Sequence, residues 1–184
     1  LSWHEIRLGQ FPDPLPDYFH PEVVEAMRGY YDDWRNRSTP AGHYGLVHRD
    51  LHAGNFLVEN GAVQIIDFDL GCYGWRTMDL AVLLFIYYYY PSLRVPGATP
   101  ELAGHVLAKL VEGYREEFTL DRDQLATVAD MMMLNTINNY FLMLPDPEHW
   151  QAAMGNPRIT VMESLTWIEQ LWLDNRKLQI DLEQ

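Results

Sequence analysis

A chain of 184 residues that is 48% hydrophobic and 13% aromatic can bury one substantial core, which excludes a disordered chain and makes one domain the default. Its formal net charge of −13 argues against nucleic acid or an anionic membrane as partner, since both require a basic surface. The same acidity suits a cationic substrate such as an amine-bearing alcohol, or serves solubility alone.

Residues 1–20, with Pro12, Pro14 and Pro16, show neither helical nor strand period and read as an extended connector. Its Trp3, Ile6, Leu8 and Phe11 are available to pack along a domain that occupies 21–184. Pro21 suits the first position of a helix running to Arg37, with Val24, Met27, Tyr31 and Trp34 forming its core stripe. Ser38 to Gly42 breaks that helix, and Tyr44 to Val47 leads as a short strand or turn into His48-Arg49-Asp50-Leu51-His52-Ala53-Gly54-Asn55.

Beyond this loop, Asn60-Gly61 separates two β-rich runs, Phe56 to Val58 and Val63 to Ile66, the strongest short-range signal of a hairpin. A two-residue turn there pairs Glu59 with Ala62, Val58 with Val63, Leu57 with Gln64 and Phe56 with Ile65. Asn55 and Asp67 then emerge side by side at the open end. Both carry oxygen donors, and Mg²⁺ takes one or two protein oxygens with the rest of its shell from phosphates and water. Asp50, just before the first strand, is placed to face a hydroxyl that attacks a phosphoryl group.

Gly71 to Trp75 reads as a loop containing Cys72, the lone cysteine, which rules out an internal disulfide and suits a reducing, cytoplasmic compartment. Tyr73 and Trp75 either line a substrate pocket or cover the core. Thr77 is placed to cap a buried helix from Met78 to Tyr90, ended by Pro91; it is too short to span a bilayer, and no signal peptide is visible. Pro100 opens the next helix, with Leu102, Val106, Leu110, Tyr114 and Phe118 at helical spacing. Asp121 and Gln124 make a capping-box start to a helix reaching about Leu144. Asn135, Asn138 and Asn139 share one flank of that helix, where buried amides need backbone partners or a polar cavity. A turn at Pro145 to Pro147, a short helix from Glu148 to Met154, and a last helix from Pro157 to about Gln179 complete the chain. The last helix turns Met162, Leu165, Ile168 and Trp172 inward. The seven histidines form no zinc-like cluster.

The pattern His48-Arg49-Asp50-Leu51-(x)3-Asn55, Asp67-Phe68 and Thr77-Met78-Asp79-Leu80-Ala81 resembles the protein-kinase-like superfamily. It is more similar to the aminoglycoside/choline-type small-molecule kinases and their homoserine-kinase-like relatives than to protein kinases. His52 stands where a Ser/Thr protein kinase usually carries a Lys contacting the transferred phosphate. Asp69 replaces the Gly of Asp-Phe-Gly, and the gap from Asp67 to Asp79 is too short for an activation segment.

The resemblance implies a mainly α fold with a small β-hairpin, the C-terminal lobe of a kinase-like fold with its N-lobe absent. It implies ATP and Mg²⁺ as cofactors, Asp50 as catalytic base or hydroxyl-orienting residue, and Asn55 and Asp67 as metal ligands. His48 would brace the loop, Asp79 would hydrogen-bond its backbone, and Arg49 would be structural. His52 is a further supporting residue, and Asp69 is either a metal or substrate contact or a loop acceptor. Substrate contacts on C-terminal helices bring in Asn135, Asn138 and Asn139.

Kinase-like enzymes close the nucleotide under a smaller lobe with a Gly-rich loop and a strand Lys. This chain has two lysines, Lys109 and Lys177, both downstream of the loop, and no GxGxxG upstream. The expectation is a C-lobe whose partner is its own missing N-lobe and whose substrate is a small-molecule hydroxyl compound, the chain alone being inactive. The rivals are a pseudokinase-like binding module and a lobe that acts with a separate nucleotide-binding chain.

Overall fold

The computed structural model describes residues 2–3, 20–89, 100–154 and 160–174. They fall into two compact units, and one of the crossings between these lies inside a helix.

The first unit holds residues 2–3 and Thr39–Met132. Strand β1 (Tyr44–Val47) runs into the loop from His48 to Asn55, which ends in a single 3-10 turn at Ala53–Asn55. Strands β2 (Phe56–Glu59) and β3 (Ala62–Ile65) form the hairpin in the expected register, from Phe56↔Ile65 to Glu59↔Ala62. Its turn needs left-handed backbone at both central positions, and Asn60 (φ 51°) and Gly61 (φ 81°) supply it, one by tolerance and one by lacking a Cβ.

The expected loop at Gly71 to Trp75 is instead a fourth strand, β4 (Cys72–Trp75), antiparallel to β1 from Tyr44↔Trp75 to Val47↔Cys72. Its partner lies far upstream, so no local turn signal announces the pairing. Gly45, Val47, Cys72, Gly74 and Trp75 are buried, while Leu46 and Tyr73, directly opposed, face out. Ser2 bridges Tyr73 in parallel, and Trp3 donates its N–H to the Tyr73 carbonyl at 2.8 Å, so Trp3 is buried as well. Cys72 is therefore a packed strand residue; burial pushes its thiol up, although the charge of Arg49 pulls the other way.

Helix α2 (Thr77–Tyr89) buries Met78, Leu80, Ala81, Leu84 and Phe85, and the side chains from Ile86 onward lie outside the described residues. Thr77 is its first helical residue rather than a side-chain cap. Thr127 spends its hydroxyl proton on the Gln124 carbonyl at 2.7 Å, so Thr77 donates to Thr127 Oγ1, also at 2.7 Å. Helix α3 (Pro100–Glu117) packs on α2. Of its predicted stripe, Val106, Leu110 and Tyr114 are half-buried and Leu107 beside them is buried, whereas the end members Leu102 and Phe118 are 38% and 51% exposed. Phe118 lies past the helix end, beneath the Arg76 guanidinium, 4.6 Å from its ring centre.

Helix α4 (Arg122–Met143) opens on the expected capping box. Asp121 N–H donates to Gln124 Oε1 at 3.0 Å, and Gln124 N–H to Asp121 Oδ1 at 2.8 Å. The helix is buried on nearly every side, as Val128, Met131, Met132, Ile137 and Tyr140 show; its residues to Met132 belong to the first unit and those from Met133 to the second.

The second unit holds the described residues 20–38 and 133–174. Helix α1 (Pro21–Asn36) buries Val23, Val24, Met27, Tyr31 and Trp34, adding one residue to the predicted stripe. Helix α5 (Pro147–Met154) and α1 each pack on helix α6 (Val161–Leu173). Helix α6 starts later than expected. Thr160 accepts from the Glu163 N–H at 3.1 Å, and Glu163 Oε2 accepts from the Thr160 N–H at 2.7 Å, a capping box spelled by Thr160-Val161-Met162-Glu163. With this start Val161, Ser164, Leu165, Ile168 and Leu171 are buried and Met162 is 46% exposed, so Met162 drops out of the predicted inner face. Replacing Thr160 by Ala should lower stability by about 1 kcal/mol, the usual cost of a lost N-cap, read as a lower thermal midpoint; an unchanged midpoint would show that the cap does not hold the helix start.

Candidate functional site

The candidate site is built at the open end of the hairpin, and every residue that builds it belongs to the first unit. The Ile66 N–H donates to the Asn55 carbonyl at 3.0 Å, carrying the ladder one step past β3, with Asp67 the next residue in the chain. Asn55 is buried, and its Nδ2 donates to the Asp50 carbonyl at 2.8 Å and approaches Asp50 Oδ2 at 3.4 Å. The donor end of this amide is thereby committed, and its oxygen is the end left for a cation. Asp50, by contrast, is part-exposed, with 41% of its side chain open.

His48 ties the loop to the hairpin. Its Nδ1 accepts from the Asp50 N–H at 3.3 Å, so the ring proton sits on Nε2 and is donated to the Ile66 carbonyl at 2.9 Å. Phe68 packs on the imidazole with ring centres 4.5 Å apart, which closes His48 off from water. The Asp-Phe pair thus contributes an oxygen donor and a cover for the loop's brace.

Asp79, in the first turn of α2, reaches the same loop from below. Its Oδ2 accepts from the His48 N–H at 2.9 Å and its Oδ1 from the Arg49 N–H at 2.7 Å. Burial pushes the Asp79 carboxyl above its ordinary range, partly offset by these two donors and by His48. Arg49 needs the support, because its backbone is left-handed (φ 69°), as is that of Asp67 (φ 65°). Left-handed backbone costs a residue with a Cβ about 1–2 kcal/mol, and such strain persists only where neighbours over-determine it. Here the Asp79 carboxylate holds one strained residue, and the bonds on either side of the Ile66 peptide hold the other.

His52 accepts from the Gly54 N–H at Nδ1, 3.0 Å away, and turns Nε2 toward Asp50 Oδ2 at 3.7 Å. A Cβ on Gly54 would stand 2.8 Å from His52 Cε1, so glycine is what lets the ring lie there. Gly54 and Phe68 are the supporting residues that sequence reasoning left without a role. Nothing in the sequence alone places the His52 ring over residue 54.

Other sequence candidates land elsewhere. Asp69 is exposed in the turn that the Gly71 N–H closes onto the Phe68 carbonyl, and its carboxylate takes no hydrogen bond among the described residues. Tyr73 is exposed on β4. Trp75 is 3% exposed and sits at the Tyr44 end of the ladder, opposite the end where the loop begins, packed edge-on to His43. It is a core residue and not a pocket wall. Asn135, Asn138 and Asn139 are half-buried on the second half of α4, among residues of the other unit. Among the described residues no three His, Cys, Asp or Glu side chains gather as a metal site, and no helix is long and apolar enough to cross a membrane.

A hairpin that ends in an amide and a carboxylate, under a loop braced by a helix-borne Asp, defines the larger lobe of a kinase-like phosphotransferase fold. The chain belongs to the phosphotransferase enzyme family APH, whose profile matches residues 6–124. It is 35% identical over 125 residues to amicoumacin kinase of Bacillus subtilis (strain 168), a match covering 66% of this chain and 36% of that protein. Among solved structures it is similar to amicoumacin kinase hAmiN in complex with AMP-PNP, Ca2+ and Ami, with a TM-score of 0.70 and 26% identity over 96% of this chain and 51% of that one. A microcompartment-associated aminopropanol kinase shares the fold at a TM-score of 0.52 and 20% identity, over 83% and 45% of the two chains. The chain thus spans about half the length, or less, of these relatives.

Proposed function

We propose that this chain carries the phosphoryl-transfer site of an ATP- and Mg²⁺-dependent small-molecule kinase whose acceptor is an alcohol hydroxyl. The observation that carries this reading is the hairpin end, where the Asn55 side chain is bonded to Asp50 and its carbonyl to the N–H of Ile66, the residue before Asp67. The donor set fits a hard cation: the Asn55 amide oxygen and the Asp67 carboxylate are oxygens only, with no sulfur or imidazole between them. Bound there with the nucleotide, Mg²⁺ would neutralise phosphate charge as it builds in the transition state.

The remaining work falls to the chain's own groups. Asp50 presents a part-exposed carboxylate that orients the acceptor hydroxyl and takes its proton. His48, with Asp79 behind it, fixes the backbone from which Asp50 projects, so that positioning supplies much of the catalysis. Amicoumacin is the first acceptor to try, given the relatives that act on it, and amine-bearing alcohols follow because the net charge of −13 favours a cationic substrate. The hairpin leaves Leu57, Val58, Val63 and Ile65 between 43% and 71% exposed, and this chain spans 51% of hAmiN; both support a further lobe that covers the nucleotide from that face.

Calorimetric titration of Mg²⁺-ATP into the full-length gene product tests the site. Saturable binding should be lost on chelating the metal and weakened at least tenfold, on the order of 1.4 kcal/mol or more, by Asp67→Ala. Metal-independent binding, or equal binding by the variant, would take Asp67 out of its proposed role.

A further inference from the structure

The geometry points to His52 as the residue that positions Asp50, by holding one of its carboxylate oxygens and leaving the other for the acceptor hydroxyl. The inference rests on the phosphotransferase reading of Asp50 and adds to it which oxygen does the work and what aims it.

Two donors converge on Asp50 Oδ2: Asn55 Nδ2 at 3.4 Å and His52 Nε2 at 3.7 Å. No hydrogen bond occupies Oδ1 among the described residues, so Oδ1 is the acceptor presented outward. The imidazole is aimed from behind. Because Nδ1 accepts the Gly54 N–H at 3.0 Å, the neutral ring carries its proton on Nε2, the atom that faces Asp50. The backbone is aimed with it, since the His52 N–H donates to the Asp50 carbonyl at 2.9 Å and the Asn55 N–H to the His52 carbonyl at 2.9 Å. At 3.7 Å the His52–Asp50 contact is longer than a formed hydrogen bond, of the kind that tightens to one when substrate is bound. A carboxylate with one oxygen held loses the freedom to turn, which would otherwise be lost in reaching the transition state.

The chemistry separates this role from direct contact with the phosphate, the role of the Lys found at this position in Ser/Thr protein kinases. A phosphate contact would raise the KM for ATP when removed. A positioning contact lowers kcat and leaves that KM alone. Asparagine at position 52 can still accept the Gly54 N–H but cannot reach Asp50, whereas glutamine offers an N–H at about the reach of Nε2. Alanine at position 54 would push the ring aside with His52 still present, since its Cβ would lie 2.8 Å from Cε1 and 3.0 Å from Nδ1.

The test has two arms. Phosphoryl transfer from Mg²⁺-ATP to amicoumacin, to ethanolamine and to water is measured on the full-length gene product. His52→Asn should lower kcat roughly 10- to 100-fold, the range for a lost hydrogen bond to a charged group, with the KM for ATP within about twofold. His52→Gln should recover part of the loss. Gly54→Ala should match His52→Asn, and the double variant should be no worse than either, because both break one contact. In the second arm, ¹⁵N spectra of the histidine rings at pH 8 should show His52 protonated at Nε2, with that resonance moving on Asp50→Asn more than its counterpart in any other histidine. Wild-type kcat in His52→Asn, a loss that falls on the KM for ATP, or a proton on Nδ1 each overturns the proposal. A wild-type protein that shows the ring signature but transfers phosphate to none of the three acceptors overturns the phosphotransferase reading instead.

Discussion

Asp50→Ala in the full-length protein should lower the turnover of phosphoryl transfer by about 10²- to 10⁴-fold, the usual contribution of a positioned general base. Binding of Mg²⁺-ATP should stay within a few-fold of wild type. The expectation rests on how little else the Asp50 carboxylate holds. The loop is kept in place by main-chain groups of residue 50: its carbonyl takes the Asn55 amide and the His52 N–H, and its N–H goes to His48. All of these survive truncation to alanine. Among the described residues only the long contacts to Oδ2, at 3.4 and 3.7 Å, disappear, and the variant should melt within about 1 kcal/mol of wild type. Asp50→Asn sharpens the reading, because it keeps the size of the side chain while removing its capacity to take a proton. If both variants turn over within tenfold of wild type, Asp50 is not the base; if nucleotide binding collapses with turnover, the residue belongs to the metal site and not to the acceptor side.

What could be read from the sequence follows the range of the interactions involved. The β2–β3 hairpin was legible down to its register because the Asn60-Gly61 turn is local and each strand continues from it. The Asp121–Gln124 capping box is legible for the same reason, and the Thr160–Glu163 box is equally local. The β1–β4 ladder was not, because each of its four-residue strands is defined by a partner far away in sequence. The same distance explains Trp75: only the pairing with Tyr44 shows that it lies in the core. Helix α3 shows a different gap. Spacing fixes the period of an apolar stripe, and Val106, Leu110 and Tyr114 are half-buried along it, but not how far a neighbour covers it: Leu102 and Phe118 at its ends stay exposed, and Leu107 is the residue buried.

At the site, oxygen donors and loop motif were readable as residue types, because the chemistry demands those types. What types alone could not convey is the direction of each group. The Asn55 amide spends its donor end on Asp50, His48 uses both ring nitrogens within the loop and hairpin, and His52 is turned by Gly54. The two left-handed residues were likewise invisible: arginine is not a type that favours this backbone, and Asp67, though of a type enriched there, is one of many aspartates that nothing in the sequence singles out. They are the price of turning the loop and the hairpin end toward one another.

That strain makes Asp79→Ala the most damaging single change in the support of the site. Its carboxylate takes two part-buried backbone donors, and truncation leaves both unpaired. At about 1–3 kcal/mol for each, the loss is on the order of 3 kcal/mol, or roughly 10 °C in the thermal midpoint of a chain this size. Activity should fall with it, because Arg49 is no longer held in its left-handed state and Asp50 follows it in the chain. The pH dependence carries a separate sign. Burial raises the Asp79 carboxyl above its ordinary 3.8, against the pull of the two N–H donors and His48, so the folded protein binds this proton more tightly than the unfolded chain. The stability this linkage adds is fully present below the ordinary value and is lost as pH rises through the raised one. The gap in stability between wild type and Asp79→Ala should therefore be widest in acid and narrow toward neutral pH. Melting both proteins across a pH series decides it: a gap that widens with pH would mean that the two backbone donors outweigh burial and hold the carboxyl below its ordinary range.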